Sequence, residues 1–299
     1  MRNLILTLSG IVALLSLSSC QRSVDDVPAD TPPPAMLNSV IEVYGKKFVL
    51  TQMEAINEKY PDGNRTLGFS YDAKGAMIAF QEYYPGGLSG TASFSYTHEK
   101  VDWKITPVGS DWEDRGYYSL SSSGWPKSNS AKSYEDGVVV YRSEDSYTLN
   151  PEDRVAQETY SYSELLNGEP IYTRSGGEKH YFEDGNLIRT ERYSEDSSPM
   201  EAVYEFEYDA SKTNLLKSVA LYDGEFSVIY KKPSRNLVSR FVYKLVGPSD
   251  GIEYEVYRID YTYTFNANGL PTEIVATQTY KDTAIEGETI MYRFTYSPF

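Results

Sequence analysis

The chain has 299 residues, with 28 Lys plus Arg against 43 Asp plus Glu and a formal net charge of −15. Such acidity repels phosphate backbones and anionic headgroups, so nucleic acid is excluded as an expected partner. One cysteine and two histidines leave no cystine framework, no paired-cysteine zinc spacing and little imidazole chemistry.

At the start, Arg2 supplies a basic residue, Leu4 to Leu17 an apolar run, and Ser18-Ser19 the small residues that precede a cleavage site. That run is shorter than the ~20 residues a spanning helix needs. Leu17-Ser18-Ser19-Cys20 resembles the lipobox of bacterial lipoproteins. The resemblance implies that residues 1–19 are removed and that Cys20 becomes an acylated N-terminus. Acyl chains contribute about 0.8 kcal/mol per buried methylene, so several of them hold a protein durably on a membrane. Residues 20–35 carry Asp25, Asp26, Pro28, Pro32, Pro33 and Pro34 and cannot pack a core, so they read as an extended tether. Acids shortly after the cysteine are similar to the export signal of surface lipoproteins in Bacteroidetes-type bacteria. An outer-membrane lipoprotein is expected, on the cell surface or the periplasmic face.

Residues 36–299 read as a β domain. Thr51-Gln52-Met53-Glu54 has capping-box spacing ahead of Ala55 and Ile56, which fits one short helix or a strand; Pro61-Asp62-Gly63 ends either. Phe94 and Tyr96 alternate, then Trp103 with Ile105. Tyr204-Glu205-Phe206-Glu207-Tyr208 sets aromatics against carboxylates. Ile259, Tyr261, Tyr263 and Phe265 share one face, as do Ile290, Tyr292, Phe294 and Tyr296. Ile252, Tyr254 and Val256 slip by one at Tyr257, which marks a β-bulge. Between the runs stand Asp136-Gly137, Asn167-Gly168, Asp184-Gly185, Asp223-Gly224, Asp250-Gly251 and Asn268-Gly269, the residue pairs that tight hairpins favour. With 28 Tyr against 11 Phe, the strands suit half-buried sheets whose hydroxyls reach water or a partner.

The hairpins also resemble one another. Phe265-Asn266-Ala267-Asn268-Gly269-Leu270-Pro271 matches Leu120-Ser121-Ser122-Ser123-Gly124-Trp125-Pro126 in spacing, and Phe69-Ser70-Tyr71-Asp72-Ala73-Lys74-Gly75 and Phe206-Glu207-Tyr208-Asp209 are variants. Equivalent positions fall at Tyr71, Tyr96, Leu120, Leu149, Phe182, Tyr208, Tyr230, Phe265 and Tyr296, at varying intervals. Phe-x-Tyr-Asp-x-x-Gly is similar to the tyrosine–aspartate hairpin repeat of the Rhs-type family. The whole resembles Bacteroidetes-type surface lipoproteins that carry such hairpins behind a lipobox. That resemblance covers about Phe69 to Phe299. It implies an all-β fold: a long, twisted antiparallel meander of hairpin repeats, curling into a partial roll or open barrel, with at most one short helix. No chemistry comes with it.

Catalytic signatures are missing: there is no His-Glu-x-x-His, no phosphate-binding Gly loop and no Gly-x-Ser-x-Gly elbow. His98 and His180 read as strand decoration. Glu205/Glu207 and Glu253/Glu255 occupy polar strand faces, which keeps a two-carboxylate glycoside hydrolase as a remote alternative. No acidic turn has the full calcium-loop pattern, and no metal or cofactor is expected. Asp282-Thr283-Ala284 resembles an O-glycosylation motif of exported proteins. Ligand binding is expected at aromatics instead: Trp112 in the polar Gly109–Gly116 loop, Tyr117 and Tyr118 after it, and Trp125 at a repeat turn. Trp112 fits either a lid over a small cluster or a stacking platform. The expected role is a non-catalytic, lipid-anchored module that binds a polysaccharide or an envelope protein. The alternative is a structural or assembly component of the outer membrane.

Overall fold

A computed structural model describes residues 32–194, 200–217, 219–222, 225–228, 231–281 and 287–299. Residues 1–19, Cys20, most of the tether, Asp223-Gly224, Tyr230 and Asp282-Thr283-Ala284 lie outside the described residues.

The strands, in chain order, are β1 (Ile41–Val43), β2 (Lys46–Asn57), β3 (Arg65–Tyr71), β4 (Met77–Tyr84), β5 (Gly87–Tyr96), β6 (Lys100–Pro107), β7 (Trp112–Leu120), β8 (Pro126–Glu135), β9 (Val138–Leu149) and β10 (Val155–Leu166). After them come β11 (Glu169–Glu183), β12 (Asn186–Tyr193), β13 (Met200–Thr213), β14 (Val219–Tyr222), β15 (Glu225–Val228), β16 (Asn236–Val246), β17 (Glu253–Phe265), β18 (Pro271–Tyr280) and β19 (Thr289–Pro298). From β2 onward each strand pairs antiparallel with the next, β13 passing to β16, and β19 returns to β2 with Ile290 opposite Asn57 and Phe294 opposite Met53. The result is a closed 16-stranded antiparallel barrel, with β1 added as a hairpin on β2. The expected curl therefore goes to full closure, which leaves no sheet edge among these strands. β14 and β15 form a separate two-stranded sheet.

Thr51–Glu54 lie within β2, which is hydrogen-bonded to β3 on one side and β19 on the other. Two ladders of backbone bonds outweigh the capping-box preference of so short a segment. Among the described residues the helical content is one 3-10 turn, Pro61–Gly63. The bulge read at Val256 is present: Tyr243 pairs Tyr257 and Lys244 pairs Glu255, skipping Val256.

Alternation sets the polarity of the wall. On β17, Ile259, Tyr261, Tyr263 and Phe265 point inward to the apolar cluster, while Arg258, Asp260, Thr262 and Thr264 point outward. The outer face elsewhere shows the same chemistry: Glu205 and Glu207 on β13, Arg240 and Lys244 on β16, Ser130 and Lys132 on β8. A membrane-spanning barrel presents an apolar band about 25 Å tall to lipid. This barrel has the reverse polarity, so its wall faces water.

The two ends of the barrel differ. At one end the repeat turns share a single set of bonds. At Asn266 the backbone N–H donates to the Leu270 carbonyl at 3.0 Å, while the side-chain oxygen accepts from the N–H groups of Asn268 and Leu270 at 2.9 and 3.1 Å. Asn150 and Asp72 do the same at their own turns, and Ser121 repeats it with its hydroxyl on the Trp125 N–H. The turn needs an oxygen acceptor, not a carboxylate, which explains why Asp, Asn and Ser interchange through the repeat. Just inside, Tyr71, Tyr208, Tyr263 and Tyr296 donate their hydroxyls to the carbonyls of Leu50, Leu187, Val238 and Pro271 at 2.5, 2.7, 2.5 and 2.8 Å. Phenylalanine could not satisfy these carbonyls, so the repeat favours tyrosine.

The segment Pro34–Ser39 crosses this end as a strap. Met36 N–H donates to the Gly124 carbonyl, Ser39 N–H to the Gly75 carbonyl, and Met77 N–H to the Leu37 carbonyl, at 3.2, 3.1 and 3.0 Å. Met36 and Leu37 are buried beneath it with Leu216 and Val219. Gly124 has φ of +79°, and a Cβ there would stand 2.6 Å from the Ala35 nitrogen, so the turn and the strap's close approach both require glycine. Among the described residues no segment crosses the opposite end. Its hairpins expose Tyr84, Val138, Leu166, Ile171, Ile252 and Tyr254.

Candidate functional site

Inside the barrel the two halves of the wall differ. From β13 through β19 and on to β5 the inner face is mainly aromatic and aliphatic, with an Arg65–Glu82 ion pair on β3 and β4 as its charged exception. Phe241 stacks near Tyr204 at 5.9 Å and meets Phe206 edge-on at 5.3 Å, while Tyr243 lies 5.2 Å from Tyr257. From β6 through β12 the inner face is polar. Trp103 Nε1 donates to Asn129 Oδ1 at 3.1 Å, and Asn129 Nδ2 donates to Asp145 Oδ2 at 2.8 Å. Burial pushes the Asp145 carboxyl above its ordinary range, and the neighbouring charge of Glu158 adds to that.

Beyond Asp145 lies a cluster of buried charged groups. Glu158 on β10 pairs with Lys231. Arg192 on β12 donates through Nε and Nη2 to Glu178 Oε1 at 2.8 and 2.7 Å. Between the two carboxylates sits His180 on β11, its Nδ1 hydrogen-bonded to Thr190 Oγ1 at 2.9 Å. Glu158 and His180 are each 8% exposed and Glu178 3%. Burial pushes the Glu158 carboxyl upward, but His180 and Lys231 beside it outweigh that and hold it at about 2. Sequence reasoning misses this group because it takes His180 for strand decoration. The signal was present: Glu158 is in phase with Tyr160 and Tyr162, and so shares their inward face.

Nearer the mouth, three rings form a row on the polar wall. Trp112 lies 5.6 Å from Tyr141, and Tyr141 stacks on Tyr162 at 5.3 Å with 23° between planes. The small Ser133, opposite both Asp114 and Tyr141, lets the first two rings meet across β8. Trp112 Nε1 donates to Asp114 Oδ1 at 3.0 Å, which fixes the indole. Tyr162 remains 37% exposed, so the row is reachable from the open end.

The other aromatics singled out in the sequence are not gathered here. Tyr118 faces inward against Trp103 at 6.5 Å, deeper than the row. Tyr117 precedes it and so points outward, where Lys100 stands 4.6 Å over its ring beside a groove of about 440 Å³ on the outer face. Trp125 lies at the strapped end, lining a cavity of about 730 Å³ with Ala35, Arg154 and Arg235. Of the acid pairs, Glu205 and Glu253 are on the outer face, tied together by Arg189 at 3.1 and 2.5 Å and by Lys244 at 2.7 and 3.3 Å. Carboxylates neutralised by two shared cations are poorly placed to donate or accept the protons of glycoside cleavage.

No protein family and no curated protein matches the chain in sequence. Among solved structures, a porin-like protein from Bacteroides uniformis ATCC 8492 shares the fold at a TM-score of 0.55 and 16% identity, covering 91% of this chain and 100% of that one. A porin-like protein from Bacteroides vulgatus ATCC 8482 is similar at a TM-score of 0.51 and 11% identity, covering 84% of this chain and 99% of the other. The chain therefore shares its barrel fold, over most of its length, with porin-like proteins of Bacteroides.

Proposed function

We propose that this chain is a non-catalytic, lipid-anchored barrel of the cell envelope that binds a glycan at its open mouth. The observation that carries the reading is the Trp112–Tyr141–Tyr162 row. These flat rings lie next to one another on the inner wall near the mouth, and Tyr162 keeps more than a third of its surface exposed to solvent. Sugar rings bury their apolar faces on such side chains. The outward polarity of the wall supports a water-filled setting over a lipid-facing one. The lipobox ending at Cys20 supports attachment through acyl chains. Affinity electrophoresis against plant and host polysaccharides tests the reading: one or more glycans should retard the folded protein, and Trp112→Ala should abolish the retardation. Unchanged migration throughout the panel removes it.

A second reading, an assembly component that docks another envelope protein, draws on the apolar side chains around the rim. Val138, Leu166, Ile171 and Ile252 are each more than half exposed, at 57, 59, 59 and 53%. Pull-down of one stoichiometric partner that survives high salt, and is lost on Ile171→Glu, favours that reading.

A further inference from the structure

We propose that Glu158, Glu178 and His180 form a binding site for one divalent transition-metal ion of the zinc class, set into the polar wall of the barrel. One ligand atom from each of the three lies within 4.8 Å of the others. The separate pointer is His180 Nε2, which is buried and has no hydrogen-bond partner. An unpaired buried polar atom is costly, and a ligand on it removes that cost. Thr190 occupies the opposite ring nitrogen and holds the imidazole in place, as the outer partner of a metal-bound histidine does. In the tautomer that donates Nδ1–H to that hydroxyl, Nε2 turns a lone pair toward two carboxylates, an arrangement that either a proton on Nε2 or a metal ion between the three groups relieves.

Distance separates an ion from a shared proton. Nε2 is 3.8 Å from Glu178 Oε2 and 3.9 Å from Glu158 Oε2. A hydrogen bond needs about 2.7–3.2 Å. Ligands on metal bonds of about 2.0–2.1 Å at tetrahedral angles stand roughly 3.3 Å apart, so Nε2 stands about half an ångström farther from each carboxylate oxygen than it would around a bound ion. The donor set also sorts the ions. One imidazole and two carboxylates suit zinc and its neighbours better than calcium or magnesium, which take oxygen alone. Arg192 engages Oε1 of Glu178 and leaves Oε2 facing the histidine. Lys231 sits on the Glu158 oxygen that a metal would use, and so acts as its competitor. An ion held there would join β10 to β11 across the wall.

The test is calorimetric titration of zinc chloride into the chelator-stripped full chain, with cobalt(II) as a visible-absorption reporter of coordination. One equivalent should bind. His180→Gln and, separately, Glu178→Gln should each weaken binding by about 100-fold or more. His98→Gln, which changes the other histidine, should leave affinity unchanged, and Lys231→Met should tighten it. Circular dichroism of each variant separates loss of the site from loss of the fold. Absence of a stoichiometric equivalent in the parent protein, or undiminished binding in folded His180→Gln or Glu178→Gln, overturns the proposal.

Discussion

The two inner walls of this barrel solve the same burial problem by opposite means. The half from β13 to β5 stacks phenyl and phenol rings, and its stability comes from area removed from water. The half from β6 to β12 buries carboxylates, an imidazole and a guanidinium, each held by a named partner. Ring packing tolerates local adjustment, whereas a buried charge depends on a single neighbour. The dry half is thus built to hold the barrel shut, and the polar half is where selective chemistry can sit.

The largest effect should come from the dry half. Phe241 is fully buried between Tyr204, Phe206 and Tyr257. Phe241→Ala should lower unfolding free energy by about 3–5 kcal/mol in urea titrations. A loss under about 1 kcal/mol would mean that this wall is not a packed core. On the polar half, Glu178→Ala in chelator-stripped protein should cost about 3 kcal/mol, because Arg192 loses its partner. Replacing Glu178 and Arg192 together by Met should recover most of that, and failure to recover would remove the contrast between the walls.

Alkaline pH probes the buried phenols of the aromatic half. Burial raises the phenols of Tyr208, Tyr263 and Tyr296 well above their ordinary range. In the unfolded chain these groups ionise near 10, so their contribution is complete below pH 10 and is lost as pH rises toward the folded values. Each should cost about 1.4 kcal/mol per pH unit over that interval. Tyrosinate absorbance from these residues should therefore appear together with unfolding; a smooth titration centred near pH 10 in the folded protein would contradict their burial. The smallest effect concerns the turns that both halves share. Asn150→Ala and Asn266→Ala each remove a side-chain acceptor with two backbone donors, and each should cost about 1 kcal/mol. Asn→Asp at either site should change stability by less than about 0.5 kcal/mol, as the interchange of Asp, Asn and Ser along the repeat predicts.

Strands, bulges and turns were legible because each is local. Alternation at Ile259–Phe265 and Asn-Gly or Asp-Gly punctuation report on neighbours a few residues away. Closure was not legible. It rests on pairing between β19 and β2, whose partners Ile290 and Asn57 lie far apart in the chain, and no local pattern encodes that match. The polarity of the wall was half visible, since Glu205 and Glu207 were read as solvent-facing, yet the same logic was not carried to Glu158 and His180. Trp112 stands out in the sequence as an aromatic among charges, but its partners Tyr141 and Tyr162 come from other hairpins and carry no mark of their own.

Both described chain ends meet at the strapped pole: Phe299 N–H donates to the Lys47 carbonyl at 3.0 Å, beside the turn that the strap crosses. The barrel is therefore a cup whose two described ends share one pole, with its lip at the other. A fluorescent reporter fused after Phe299 would emerge beside the strap and leave the lip unobstructed. A surface-immobilised protein held by either terminus would present the same pole to whatever flows past.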